Sequence, residues 1–392
     1  MKLAVVTSRF PYPLEKGDKL RVYHQIRLLS QQHEIILIAL SEKAVQEIDK
    51  TELKKYCEKI YVLRLKKWKV LLSLLASFFN RFPLQVAYFF DRQLQQQAET
   101  ILLNEKPDHI FAQLIRTVPY VENVNIPKTL DYMDAFSAIT TRWSQKVPWP
   151  FSSFWKNQAE KIKRFDHSVY KSFVQHLIIS EPDRDLMGFG NTQPIKVVRN
   201  GVDFDYFKPN PEAEKTFEIA FVGNMGYLPN VEAARFLVKE VLPIIHRDKP
   251  NVKVLLAGAR PAREVKHLAG SHVEVTGWVK DIRDAYNSAE IFVAPLFLGA
   301  GMQNKILEAM CMRLPCVTTN RVNNAIKAPD NSVLKVANSA EDFAAAVIEL
   351  LENRETMALL SENAYNFALE NFSWEATVNQ IDITRKNYEE QV

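Results

Sequence analysis

The chain is poor in cysteine: Cys57, Cys311 and Cys316 are its only three among 392 residues. Three scattered thiols cannot build a disulfide framework or a zinc site, and they fit a protein kept reduced in the cytoplasm. With 11 Gly and 19 Pro there is no room for a collagen-like or linker-dominated design. Long apolar runs are also missing. The longest, Val70 to Phe79, is broken by Ser73 and Ser77 and followed by Asn80 and Arg81. A bilayer span needs about 20 apolar residues, so none is expected. The opening Met1-Lys2-Leu-Ala-Val-Val-Thr7 has four consecutive apolar residues, too few for a signal core, and is expected to form a buried strand. The eight His show no paired metal spacing.

What is present is an ordinary globular composition, 47% hydrophobic and 24% charged, in a chain long enough for two or three domains. The charge is unevenly placed. Residues 1–180 hold 27 Lys+Arg against 17 Asp+Glu, a balance of +10, and the remainder balances at −6. A basic first half favours an anionic surface or substrate.

Short apolar runs alternate with helical periodicity throughout. Strands are expected at Leu3–Thr7, Glu34–Leu40, Asp108–Leu114, Lys128–Tyr132 and Gln175–Ser180, and again at Glu218–Val222, Val252–Ala257, Val273–Thr276, Ile291–Ala294 and Cys316–Thr319. Helices are expected at Leu20–Leu29, Val231–Ile245, Ile282–Ser288, Asn304–Met312 and Asp342–Glu352, with a helical tail from Trp374 to Glu390. Between the halves, Asn200-Gly201 reads as a tight turn. The alternation predicts an α/β protein with two doubly wound, Rossmann-like domains facing a cleft, and ligands beyond the carboxyl ends of the strands. The expected division is 1–196, 197–372 and a C-terminal helix over 373–392 that crosses back to the first domain.

Chemistry is best placed in Pro295-Leu-Phe-Leu-Gly299-Ala-Gly301-Met302-Gln303-Asn-Lys305-Ile-Leu-Glu308. A strand ends in a Gly-containing loop and a helix begins, offering free N–H groups and a positive dipole end to an anion. Lys305 in the first turn is disfavoured by that dipole; a bound pyrophosphate would account for it. Glu308, three residues on, shares its face and can accept from a ribose diol. By itself, in an arbitrary α/β protein, the segment reads more readily as a solvated Lys–Glu pair on an ordinary helix.

The wider pattern resembles family 4 glycosyltransferases, retaining enzymes of the GT-B fold. Glu308-Ala309-Met310 matches the second Glu of their paired-Glu motif, and Lys305 matches its phosphate-contacting basic residue. Val198-Arg-Asn200-Gly201-Val202-Asp203, Phe207-Lys-Pro209, Phe221-Val-Gly223, Leu256-Ala-Gly258 and Val275-Thr-Gly277-Trp278-Val279 follow in the family's order. The form Gly-x-Gly-Met-x-Asn-Lys-x-x-Glu is that of a subgroup used in bacterial surface-polysaccharide assembly. Two positions depart: the family's first Glu falls at Ala300, and Asn224 and Asn230 stand where an Arg and a Lys often serve the diphosphate.

The resemblance implies transfer of a sugar from a nucleotide-diphosphate donor to a glycan or lipid-linked acceptor, without a cofactor or metal ion. Donor contacts would come from Gly17, Asn224, Arg260, Gly277, Trp278, Val279, Gly301, Met302, Gln303, Lys305 and Glu308. Lys305 would carry the leaving-group charge. A His common on the acceptor side has no match in Leu130-Asp131-Tyr-Met-Asp134; Asp131 or Asp134 would take part of that role, with Asp134 chosen as the catalytic residue, though either could equally cap a helix. Alternatives of another class are a non-catalytic sugar-nucleotide or glycan-binding protein, which Ala300 keeps open, and a nucleotide-sugar epimerase. The Asp-x-Asp pairs Asp203/Asp205 and Asp183/Asp185 lack clustered hard ligands and are not expected to hold a metal. No nucleic-acid partner is expected.

Two segments combine cations with aromatics: Lys66-Lys-Trp68-Lys69 through Phe82, and Trp143 through Lys156. Either alone reads as packed core. Together with the basic half they weigh evenly as peripheral contact with the inner face of an anionic membrane.

Overall fold

A computed structural model of the protein describes residues 1–14, 16–145, 147–189, 194–298 and 303–383. The chain divides into two compact units, Met1–Asn200 with the segment from Thr377, and Gly201–Ala376.

The first unit is built on β1 (Lys2–Thr7), β2 (Glu34–Ser41), β3 (Lys59–Arg64), β4 (His109–Gln113), β5 (Lys128–Asp131), β6 (Gln175–Ile178) and β7 (Lys196–Val197). They pair in parallel in the order β3-β2-β1-β4-β5-β6-β7, with Leu3 opposite Ile35 on one side and His109 on the other. β1 and β2 are nearly continuous apolar runs because helices cover both faces of the sheet, and their side chains are buried on both sides.

The second unit holds β8 (Phe217–Val222), β9 (Val254–Ala257), β10 (Val273–Gly277), β11 (Ala289–Ala294), β12 (Cys316–Thr318) and β13 (Lys335–Val336), all parallel, in the order β10-β9-β8-β11-β12-β13. In this sheet the winding reverses between β8 and β11, so the loops after these two strands diverge and leave a crevice for a ligand. The segments after β8 and β11 are the Gly223 loop and the approach to Lys305.

The strands absent from the expectation, β3, β7 and β13, all lie at sheet edges. β7 and β13 are two residues long, too short to show a pattern, and β3 is half-exposed with Lys59 and Arg64 at its ends. The expected helix Val231–Ile245 runs from Leu228 to Asp248 with a π turn at Leu237–Val241. Pro243 lacks an N–H and would crowd the carbonyl of Lys239, and the wider turn accommodates it. Asn200-Gly201 is not a turn. Val202 N donates to Phe372 O at 2.7 Å and bridges Ser373, and a Cβ on Gly201 would stand 2.6 Å from the backbone of Trp374. Gly201 therefore permits two segments to lie against each other. In the tail, helix covers Trp374–Val378, Ile381 is buried, and residues from 384 lie outside the described residues.

Candidate functional site

At the carboxyl edge of the second sheet, the loops after β8, β9 and β10 are tied by their backbones. Gly223 N donates to Ala257 O at 2.9 Å, Met225 N to Ala259 O at 2.9 Å, and Gly258 N to Gly277 O at 3.0 Å. Gly258 has φ +138°, and a Cβ there would fall 1.8 Å from Gly223 O. Only glycine fits this crossing.

Lys305 reaches this loop from the first turn of the helix Asn304–Cys311. Gln303 at the N-cap provides no side-chain cap, and the first turn holds no acidic residue, so the positive helix end is uncompensated from within. Lys305 Nζ donates to Asn230 Oδ1 at 2.5 Å and lies 5.1 Å from the centre of the Phe221 ring. Buried Asn230 is itself fixed, its Nδ2 donating to Asn224 O at 2.9 Å. Burial pushes the ammonium down to about 8, with Glu308 acting in the opposite direction. A Cβ on Gly223 would stand 3.0 Å from Nζ, so that glycine makes room for the cation. Glu308 Oε2 accepts from the Tyr286 hydroxyl at 2.7 Å, leaving Oε1 for a second donor such as a diol. Burial raises the Glu308 carboxyl, while the Tyr286 bond and Lys305 oppose that shift. A cation held by a neutral amide beside an open helix start is arranged to receive an anion.

The other expected donor residues lie along the same carboxyl edge. Trp278 follows β10 and is 73% exposed, which excludes the core position its residue type suggests and leaves its ring available for stacking. Gly277 has φ +72°, and Val279 is half-buried. Arg260 is exposed with φ +54°. Asn224 is exposed, but its Oδ1 accepts from Gly226 N at 3.1 Å and is committed to the loop. Asn230 is the side chain that touches Lys305. The sequence places both Asn after Gly223 and contains no signal to choose between them, and Tyr286 carries no motif at all. Gly301 and Met302, with Ala300, lie outside the described residues.

In the first unit, Gly17 begins the helix Gly17–Leu29, and a Cβ there would meet nothing within 4 Å. The fold does not require glycine at that point. Nearby, beyond β1 and β2, a cavity of about 320 Å³ is lined by Arg9, Tyr12, Lys16, Lys19, Lys43 and Asp49, among others. Asp131 is fully buried and engaged: Arg21 Nε donates to its Oδ2 at 2.7 Å, and Gln25 Nε2 at 2.9 Å. Arg21 also holds Val198 O and Asn200 Oδ1, pinning the last residues of the unit. Asp134 follows β5 in the loop Tyr132–Asp134, where Met133 has φ +62°. Burial, then Asp183, raises its carboxyl to about 6, against Arg21 and Arg116. Neither Asp caps the next helix, whose N-cap is Ala135. Asp203 accepts from the backbone N–H of Asp205 and Tyr206, Asp205 pairs with Lys208, Asp183 accepts from Ser180 in a cap, and Asp185 pairs with Arg184. Among the described residues no group of three or more His, Cys, Asp or Glu could hold a metal ion.

Comparison with known proteins falls on this architecture. Residues 216–353, the sheet that carries Lys305, match the family model described as Glycosyl transferases group 1. The chain is a glycosyltransferase of the GT-B fold. It is 24% identical to a 44.6 kDa Klebsiella pneumoniae protein of the cps region, across 97% of this chain and 98% of that one. It is also 24% identical to the Escherichia coli UDP-Gal:alpha-D-GlcNAc-diphosphoundecaprenol alpha-1,3-galactosyltransferase, over 48% of this chain and 52% of the relative. Among solved structures, Anabaena Alr3699/HepE in complex with UDP and glucose superposes with a TM-score of 0.65 at 14% identity, covering 97% of each chain. The glycosyltransferase therefore places Lys305, Asn230 and Glu308 at the switch point of the domain that the family model covers.

Proposed function

We propose that the protein is a family 4 glycosyltransferase that moves a sugar from a nucleotide-diphosphate donor to an acceptor hydroxyl with retention of anomeric configuration, using no metal ion. The observation that carries this reading is the Lys305 ammonium, held by Asn230 over Phe221 at the start of an uncapped helix. In such transfers the barrier falls when the leaving diphosphate's charge is met by preorganised donors. Lys305 and the helix N–H groups supply those donors, Glu308 orients the ribose, and Trp278 with Gly277 and Val279 receives the base. Arg260 is exposed beyond β9 to reach the phosphates. Asp134, ionised above about pH 6, takes the acceptor-side proton.

A nucleotide donor is supported by the UDP and glucose held by the Anabaena protein and by the UDP-Gal named for the Escherichia coli enzyme. The cps-region relative supports a place in cell-surface polysaccharide or glycolipid assembly, which we place at the cytoplasmic side of the membrane. Incubating the protein with a panel of sugar nucleotides and glycan acceptors, and following nucleotide release together with the anomeric proton of the product by NMR, tests the reading. Retained configuration with one donor is expected. Release from no donor, or an inverted product, would overturn it.

A further inference from the structure

An amphipathic helix in a globular protein turns its apolar stripe inward. The helix Lys67–Ala76 does the reverse. Trp68, Leu71, Leu72 and Leu75, spaced i, i+3, i+4, i+7 on one face, are all exposed, and none of the ten residues is fully buried. Its opposite side is anchored: Lys69 Nζ bonds Asp91 and Gln93, and Val70 packs on the core. Phe78 and Phe79 extend the stripe, Phe79 being 95% exposed.

The second aromatic cluster joins this face. Phe78 lies 6.3 Å from Phe154, centroid to centroid, and Lys161 Nζ donates to Ser77 O. The helices Phe136–Ser144 and Phe151–Val169 pack on each other and present Ile139, Trp143 and Phe151 to solvent, with Trp149 exposed just before the second helix. Basic residues dominate the two segments that build this face, although Glu160 shares a cavity with Phe78 and Phe79 and Glu122 pairs with Arg81. There is no Asp or Glu between Glu58 and Asp91, nor between Asp134 and Glu160, while Lys66, Lys67, Arg142 and Lys156 are exposed.

We infer that this face of the first unit, Trp68 to Phe79 with Trp143, Trp149, Phe151 and Lys156, is a docking surface for an anionic lipid bilayer, the apolar stripe entering the acyl boundary and the lysines meeting the headgroups. The inference deepens the reading of a membrane-side acceptor. A helix of ten residues is about 15 Å long and lies in the interface rather than crossing it. Charge selects the bilayer over a second copy, since two copies face to face would oppose the same lysines.

Flotation of the full-length protein with vesicles of phosphatidylcholine alone, or with 30% phosphatidylglycerol, tests this at low and high salt. Binding to anionic vesicles is expected to exceed binding to neutral ones at least tenfold at low salt and to weaken as salt rises. Lys66→Ala with Lys67→Ala should cost about fivefold per lysine. Leu72→Ser with Phe79→Ser should lose at least tenfold, with unchanged melting because both side chains are exposed. Equal recovery with both vesicle types at low salt would overturn the inference. So would wild-type binding by the variants, or a dimer in sedimentation velocity that the Leu72/Phe79 variant dissolves while vesicles are ignored. Nucleotide release by the same variants without vesicles reads the donor site separately, so either reading can fail alone.

Discussion

Lys305 differs from most surface lysines in that its charge is held where burial disfavours it. The ammonium is pushed down to about 8, and an arriving diphosphate would stabilise the charged form. Lys305→Ala should therefore lower turnover on the order of a hundredfold or more, while the melting temperature holds, since the change removes a buried charge rather than core packing. Glu308→Gln should instead weaken donor affinity with a smaller effect on turnover, because a ribose contact is made in ground and transition states alike. Steady-state kinetics with thermal melts on both variants separates these outcomes. The pH profile follows from the same groups. Lys305 must be protonated, so kcat/KM falls as pH rises through about 8. Asp134 must be ionised, so it also falls as pH drops through about 6. A bell with these two limbs is expected, and Asp134→Asn should remove the acid limb.

At the scale of elements, the site depends on three loops that cross without side chains between them. Gly258→Ala forces a Cβ into Gly223 O at a φ that L residues avoid, a strain of about 1–3 kcal/mol before the clash is counted. It should lower the melting temperature by several degrees and abolish donor binding. Gly17→Ala meets open space, so its melting temperature should hold or rise slightly. Thermal shift with and without nucleotide reads both effects. These demands are only half legible in the chain. Gly258 and Gly277 stand out in their motifs, but Gly223's service to Lys305 joins residues 82 positions apart. The edge strands β3, β7 and β13 escaped for a related reason: an edge buries less, so its apolar pattern is weak.

At the scale of the whole molecule, both Asp-x-Asp pairs are engaged in local contacts. Asp203 and Asp183 serve turn and cap, and Asp205 and Asp185 pair with Lys208 and Arg184. Transfer activity should consequently survive dialysis against EDTA, and complete loss restored by Mg²⁺ or Mn²⁺ would refute the metal-independent reading. The charge asymmetry acts at this scale too. The +10 of residues 1–180 is long-range and screened by salt, so acceptor or membrane affinity should be more salt-sensitive than nucleotide binding.

The sequence by itself determined the α/β class, the two sheets and the position of the helix that carries Lys305 and Glu308. Continuous apolar strands separated by amphipathic helices leave few other ways to bury both faces of a sheet, and Lys305 is conspicuous where the dipole disfavours it. Tertiary structure alone decided which of two asparagines holds Lys305, that Asp131 is buried against Arg21 while Asp134 is left to titrate, and that Trp278 is exposed. It also decided that the stripe Trp68–Leu75 faces outward. Periodicity shows that residues share a face, but the direction of that face depends on what the rest of the chain packs against it.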